Sequence, residues 1–129
     1  MQWSIFLAAL MLIESGGNPN PPPGAKGELG PYQISQVCAM DTNRIYAWSY
    51  SHEDMRNPIK ARHVAIHYLR FYGAQYRART GEDPTPEVYA RLWNGGPDGP
   101  SKHSTEEYWE RFSAVYERLK RENGGKDAL

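Results

Sequence analysis

The 129-residue chain has one cysteine, Cys38. No intrachain disulfide can form, and a zinc site built on several cysteines is excluded. A lone thiol of this kind reads as a small core side chain rather than a nucleophile. Net charge is missing as well. The 15 basic and 15 acidic residues cancel, which argues against a nucleic-acid binder or a membrane adherent that works by bulk charge. Long apolar runs are absent too. The run over residues 5–13 is far too short for a bilayer core of about 30 Å. It also lacks the marks of a signal peptide: Met1-Gln2-Trp3-Ser4 carries no Lys or Arg, and the run ends in Glu14-Ser15-Gly16-Gly17. The expectation is therefore no membrane insertion, no visible export signal, and a helix that is apolar all round and buried in the middle of the fold. Strand-like alternation is not found either, although residues 30–34 could pair briefly with a neighbour.

What is present is helical. The chain is long enough for one domain burying roughly two-thirds of its unfolded surface. Ala61, Val64, Ala65, Tyr68, Leu69 and Tyr72 share one helical face over residues 57–73, with Asn57 as N-cap and Pro58 at the first helical position. Tyr108, Trp109, Phe112, Val115, Tyr116 and Leu119 repeat the pattern. Ser104 and Glu107 are spaced as a capping box before them, and Gly124-Gly125 marks the stop. A shorter helix begins at Thr85-Pro86 and turns Val88, Tyr89, Leu92 and Trp93 inward, and residues 33–41 could form another. Two stretches, 16–30 and 94–100, are denser in Gly and Pro than a connection needs, and loops on a rigid scaffold are where sites tend to sit. Zero net charge is itself assembled from unlike parts: net −2 over residues 1–43, +5 over 44–79 and −3 over 80–129. Solvated helix faces account for most of these charges.

Glu14 is the residue most suggestive of chemistry. It ends the apolar run at the C-terminus of a helix, where desolvation and the negative helix end both disfavour the carboxylate and push its pKa upward. A carboxylic acid that stays protonated near neutral pH is what glycoside hydrolysis needs to protonate a leaving oxygen. The same position suits a Glu bonded to backbone N–H groups or solvated at a helix end, and position alone leaves both readings open.

Four ordered motifs carry a family resemblance: Ile13-Glu14-Ser15-Gly16-Gly17-Asn18-Pro19; Gly30-Pro31-Tyr32-Gln33-Ile34; Tyr89-Ala90-Arg91-Leu92-Trp93-Asn94-Gly95-Gly96-Pro97-Asp98-Gly99; and Ser104-Thr105 with Tyr108-Trp109. In these the chain resembles the invertebrate-type (destabilase) lysozymes and their cysteine-poor bacterial relatives. The Glu-Ser-Gly start and the Gly-x-x-Gln motif are shared with goose-type lysozymes and soluble lytic transglycosylases, while the glycine-rich segment is more specific.

The resemblance implies an all-α, single-domain lysozyme-like fold with at most a very small β element. It implies cleavage of the β-1,4 bond between N-acetylmuramic acid and N-acetylglucosamine in peptidoglycan. Glu14 matches the general acid, and Gln33 and Asn94 match polar cleft positions. Tyr32 and Trp93 are candidates for sugar stacking or the cleft wall, with Gly95 beside them. Trp109 and Tyr108 fit core packing better. Lys102, Ser104 and Thr105 match a Lys and a Ser-Thr of the family, and an isopeptidase activity would need Lys102 or Ser104 exposed and reactive.

Two departures matter. The family's disulfides are missing, which fits a bacterial or phage branch. The invertebrate enzymes also carry an Asp shortly before Gly-x-x-Gln, whereas residues 21–27 hold no acid. Glu28 is the nearest carboxylate and the choice for the second catalytic role, with Asp41 beyond the motif as the other candidate. If neither serves, Glu14 acts alone as in the transglycosylases, forming 1,6-anhydro products, or the chain is a non-catalytic peptidoglycan-binding module.

His63 and His67 lie four apart, but both fall opposite the apolar face and no metalloprotease Glu stands between them, so no metal is expected. His103, beside the glycine-rich segment, is a candidate for substrate contact. The expectation is a lysozyme-like catalytic domain over 1–123 with a flexible tail over 124–129. It needs no cofactor, works as a monomer on peptidoglycan glycan strands, binds no nucleic acid and acts at the cell wall.

Overall fold

The computed structural model describes residues 1–123, so the expected tail over 124–129 and the Gly124-Gly125 stop lie outside the described residues. Five α-helices follow in order: α1 (Trp3–Ser15), α2 (Gln36–Tyr46), α3 (Pro58–Thr80), α4 (Pro86–Gly95) and α5 (Glu106–Glu122). Three 3-10 turns join them at Glu53–Arg56, Gly99–Ser101 and His103–Thr105. The β content among the described residues is one isolated bridge, Leu29 to Ile34, within the stretch where brief pairing was expected. The fold is all-α and lysozyme-like. No helix of the described residues is long and apolar enough to cross a membrane.

The chain forms two compact units, and α1 and α3 each contribute one part to either. The first unit takes residues 1–9 and 69 onward. Its core is aromatic: Phe6 lies 4.8 Å from Phe112, Phe112 stacks on Tyr108 and Tyr116, and Trp3 meets Tyr89 edge-on at 4.8 Å. Helix α4 begins where its cap dictates. The Thr85 hydroxyl accepts the Val88 N–H, and Pro86 occupies the first turn.

The second unit is residues 10–68. Its core comprises Leu10, Leu29, Tyr32, Ile34, Ala39, Met55, Ala61, Val64, Ala65 and Tyr68. Ser35 caps α2 by accepting the Cys38 N–H, and Asn57 caps α3 through the N–H groups of Ile59 and Lys60. Cys38 is half-buried. Burial first, and then the negative charge of Asp41, push its thiol up to about 12, so it stays protonated at neutral pH and is a poor nucleophile.

Four local expectations need correction. Helix α3 runs seven residues past the expected end, because residues 74–80 are held by helical hydrogen bonding without an apolar stripe. Helix α2 starts and ends later than 33–41, since Ser35 supplies the cap and Gln33 is held in a turn. The apolar run is not buried throughout: Ile5, Phe6, Leu7, Ala9 and Leu10 are sealed, whereas Met11, Leu12, Ile13 and Glu14 are half-buried. Finally, Ser104 does not cap α5. It lies inside the 3-10 turn before that helix, and Thr105 takes the N-cap position without making a side-chain cap.

Candidate functional site

Within the second unit, Glu14 occupies the last turn of α1, which has no basic residue of its own there. The helix end is fixed by its neighbour: the Ser15 hydroxyl lies 2.8 Å from the Pro31 carbonyl and 3.1 Å from the Met11 carbonyl. Pro31 belongs to a four-residue turn, 30–33, closed by reciprocal bonds between Leu29 and Ile34 at 3.0 and 2.9 Å.

The physical basis of the Gly-x-x-Gln motif is visible in this turn. Gly30 has φ +79°, and a Cβ there would overlap the Met55 carbonyl oxygen, so no other residue fits. Gln33 is itself left-handed at φ +52°. For a non-glycine residue this conformation costs about 1–2 kcal/mol. Two bonds to the Gly30 carbonyl hold it there, one from its backbone N–H and one from its side-chain Nε2, both 2.9 Å. Strain at a residue of this kind is a common mark of a functional position.

Glu28 comes to the same place by another route. Its Oε1 accepts the Lys26 N–H at 2.9 Å, and its carbonyl accepts the Gly24 N–H at 2.8 Å. Gly24, having no side chain, lets these groups pack against its backbone. The position a Cβ would take is 2.5 Å from Glu28 Oε1 and 2.6 Å from Gln33 Oε1. Two acceptor oxygens thus lie close together against the Gly24 backbone, and such a pair suits a shared donor such as a water or a sugar hydroxyl. Asp41, the other carboxylate candidate, is on α2 and pairs with Arg44 at 2.6 Å.

Tyr32 is 2% exposed, which makes it a core side chain rather than a surface for stacking. Burial raises its phenol pKa, and a hydrogen bond from Arg62 together with that residue's positive charge opposes the rise. The structure therefore gathers Glu14, Glu28, Tyr32 and Gln33 into one unit.

The remaining candidates belong to the first unit. Trp93 is half-buried in the last turn of α4, Asn94 follows it exposed, and Gly95 ends the helix half-buried. His103 projects into solvent at 95% exposure, with Nδ1 3.0 Å from a Glu106 oxygen. Three residues around this segment were not singled out for it by sequence: Arg91, Lys102 and Thr105 bind its carbonyls. Lys102 and Thr105 carried a signal in the Lys and Ser-Thr of the resemblance, whereas Arg91 carried none beyond its place in the motif. Gly24 gave no signal of its own.

His63 and His67 do not converge on an open ligand position. Trp48 stacks on His63 at 4.1 Å, the Tyr50 hydroxyl pairs with His63 Nδ1 at 2.9 Å, and His67 Nδ1 donates to the His63 carbonyl at 2.9 Å. Among the described residues no three His, Cys, Asp or Glu side chains gather as a metal-binding group.

An all-α lysozyme-like fold with an acid at the end of its first helix, followed by a strained Gly-x-x-Gln turn, fits the lysozyme-like class that the motifs resemble. Family comparison agrees: the model of the Transglycosylase SLT domain matches residues 1–109, and the chain belongs to that family. It is also similar to a lysozyme of Ostrea edulis, 31% identical over 87 residues that make up 67% of this chain and 58% of that protein. A second relative, lysozyme 1 of Crassostrea virginica, is 44% identical over 46 residues, 36% of this chain and 25% of that protein. The chain thus spans less than two-thirds of these relatives. The resemblance to invertebrate lysozymes read from the motifs holds.

Proposed function

We propose that residues 1–123 are a peptidoglycan-cleaving catalytic domain, a muramidase that hydrolyses the β-1,4 bond between N-acetylmuramic acid and N-acetylglucosamine. One observation carries this reading. The Ser15–Pro31 bond ties the helix end bearing Glu14 to the strained turn bearing Gln33, and Glu28 converges on that turn across Gly24. Glu14 gives its proton to the glycosidic oxygen as the C1–O bond breaks. The Glu28 carboxylate and the Gln33 carbonyl hold a water, whose hydroxyl adds to the anomeric carbon while its proton passes to a carboxylate. Trp93, Asn94, Gly95 and His103 are proposed as sugar contacts. The reaction needs no cofactor, and its substrate places it outside the cytoplasmic membrane.

A second reading is favoured by the family match. In a lytic transglycosylase the muramic acid C6 hydroxyl replaces water, and Glu14 acts without Glu28. Mass spectrometry of released muropeptides separates the two, because anhydro ends are about 18 Da lighter than reducing ends by one water. Reducing ends that vanish in Glu14→Gln support the muramidase, whereas anhydro ends, with Glu28→Gln fully active, replace it by the transglycosylase. Binding to walls without any released sugar would instead leave a non-catalytic binding module.

A further inference from the structure

The segment after α4 is held by a set of side chains that the reaction itself does not use. Lys102 Nζ donates to the Gly95 carbonyl at 2.8 Å. That carbonyl is in the last turn of α4, where helix carbonyls lack helical partners and a positive charge meets the negative helix end. Thr105 is 1% exposed. Its hydroxyl lies 2.7 Å from the Gly99 carbonyl and 2.9 Å from the Lys102 carbonyl, and accepts Arg91 Nε at 2.7 Å. Arg91 also donates to the Lys102 carbonyl and to Glu87, each at 2.9 Å. The Thr105 methyl fills the space beside Gly95, where a Cβ would come within 2.5 Å of it, and a Cβ on Gly99 would overlap the Arg91 carbonyl oxygen. Carbonyls 95, 99 and 102 are thus all gripped, and they bracket the segment that follows Asn94.

We propose that Arg91, Lys102 and Thr105 form a clasp of positioning residues, which holds the segment from Asn94 to Lys102 in the geometry that receives the sugar. This rests on the muramidase reading for its substrate. A neutral sugar is recognised by a few directed hydrogen bonds, and an exposed amide such as Asn94 provides one only if its backbone is already fixed. Arg91 and Thr105 are deep in the network. Lys102 is exposed and grips by one bond, so its ammonium can be removed without opening the core. Its engagement with Gly95 also gives Lys102 a job other than isopeptidase chemistry.

Lys102→Met keeps the aliphatic stem and loses the ammonium. Amide hydrogen exchange over residues 95–102 should quicken, affinity for tetra-N-acetylchitotetraose followed by tryptophan fluorescence should fall, and kcat/KM on purified glycan strands should drop about tenfold. Tm should stay near that of the parent chain, Lys102→Arg should recover most of the loss, and the neighbouring Ser104→Ala should change none of these. Unchanged exchange and affinity in Lys102→Met would overturn the clasp. Faster exchange with full affinity and kcat/KM would overturn its positioning role, and lost kcat/KM with unchanged exchange would make Lys102 a direct substrate contact. If the parent chain cleaves no glycan, the muramidase reading fails alone, and exchange and sugar affinity still decide the clasp.

Discussion

The two glycine-rich stretches solve one problem by different means. In residues 16–34 the backbone does most of the holding. Gly16, Gly17, Gly27 and Gly30 take positive φ, Gln33 joins them, and short turn bonds close the path, with Ser15 as the main side-chain tie from outside. In residues 94–105 only Gly96 has positive φ, and the grip comes from the Arg91, Lys102 and Thr105 side chains on carbonyls. The first stretch holds the proposed proton donor's helix end and the proposed second carboxylate, where placement must be tight. The second holds proposed sugar contacts. A turn set by glycine conformation is intolerant of change at single positions, whereas a clasp of several long side chains loosens by degrees.

Substitutions can break or sharpen this contrast. The largest effect is expected at the proton donor: Glu14→Gln should lower the clearing of cell-wall suspensions by about 100-fold or more with the fold intact. Asn94→Ala, in the other stretch, should cost much less. Gly30→Ala and Gly99→Ala come next, since each would drive a Cβ into a carbonyl oxygen. Urea unfolding should show a loss of roughly 3 kcal/mol or more for both. Gly27→Ala meets open space and bears only the cost of its φ of +82°, about 1 kcal/mol. Comparable losses at Gly27 and Gly30 would mean that conformation alone, and not the close approach to Met55, makes Gly30 indispensable.

Gly24→Ala sharpens the comparison further. Its Cβ would meet only the flexible ends of Glu28 and Gln33, so stability should hardly move while glycan cleavage falls severalfold. Full activity in that variant would remove Glu28 and Gln33 from the reaction.

The smallest effect lies away from both stretches. Burial first, and then the charge of neighbouring His67, hold the His63 pKa below the ordinary imidazole value. As pH falls below about 6.5 the unfolded chain therefore takes up this proton before the folded one, and stability declines until the folded imidazole also protonates. His63→Gln should flatten the dependence of Tm on pH in that window. An unchanged slope would assign the effect to other groups.

How much could be read in advance depended on the range of the interactions. Asn57 was legible as a cap, and Thr85-Pro86 as a helix start, because a helix start is settled within three residues. The buried face of α3, from Ala61 to Tyr72, was legible from its period. Ser104 failed as a cap although its spacing to Glu107 was right. Arg91, from the preceding helix, claims the Thr105 hydroxyl, and the chain there winds into a 3-10 turn that leaves Ser104 one residue before the cap position. The burial of Tyr32 and the convergence of Glu28 with Gln33 at Gly24 were likewise invisible, because the 30–33 turn folds them back.

By itself, then, the sequence determined an all-helical chain without disulfides, an acid at the end of an apolar helix, and a lysozyme-like family resemblance carried by four ordered motifs. Those features reside in local periodicity and in residue identity. Tertiary structure alone decided which oxygens pack against Gly24, that Tyr32 is buried rather than a stacking platform, and that Lys102 and Thr105 grip backbone carbonyls. Each of these depends on where a backbone carbonyl or a missing Cβ lies in space, and residue spacing along the chain does not encode that position.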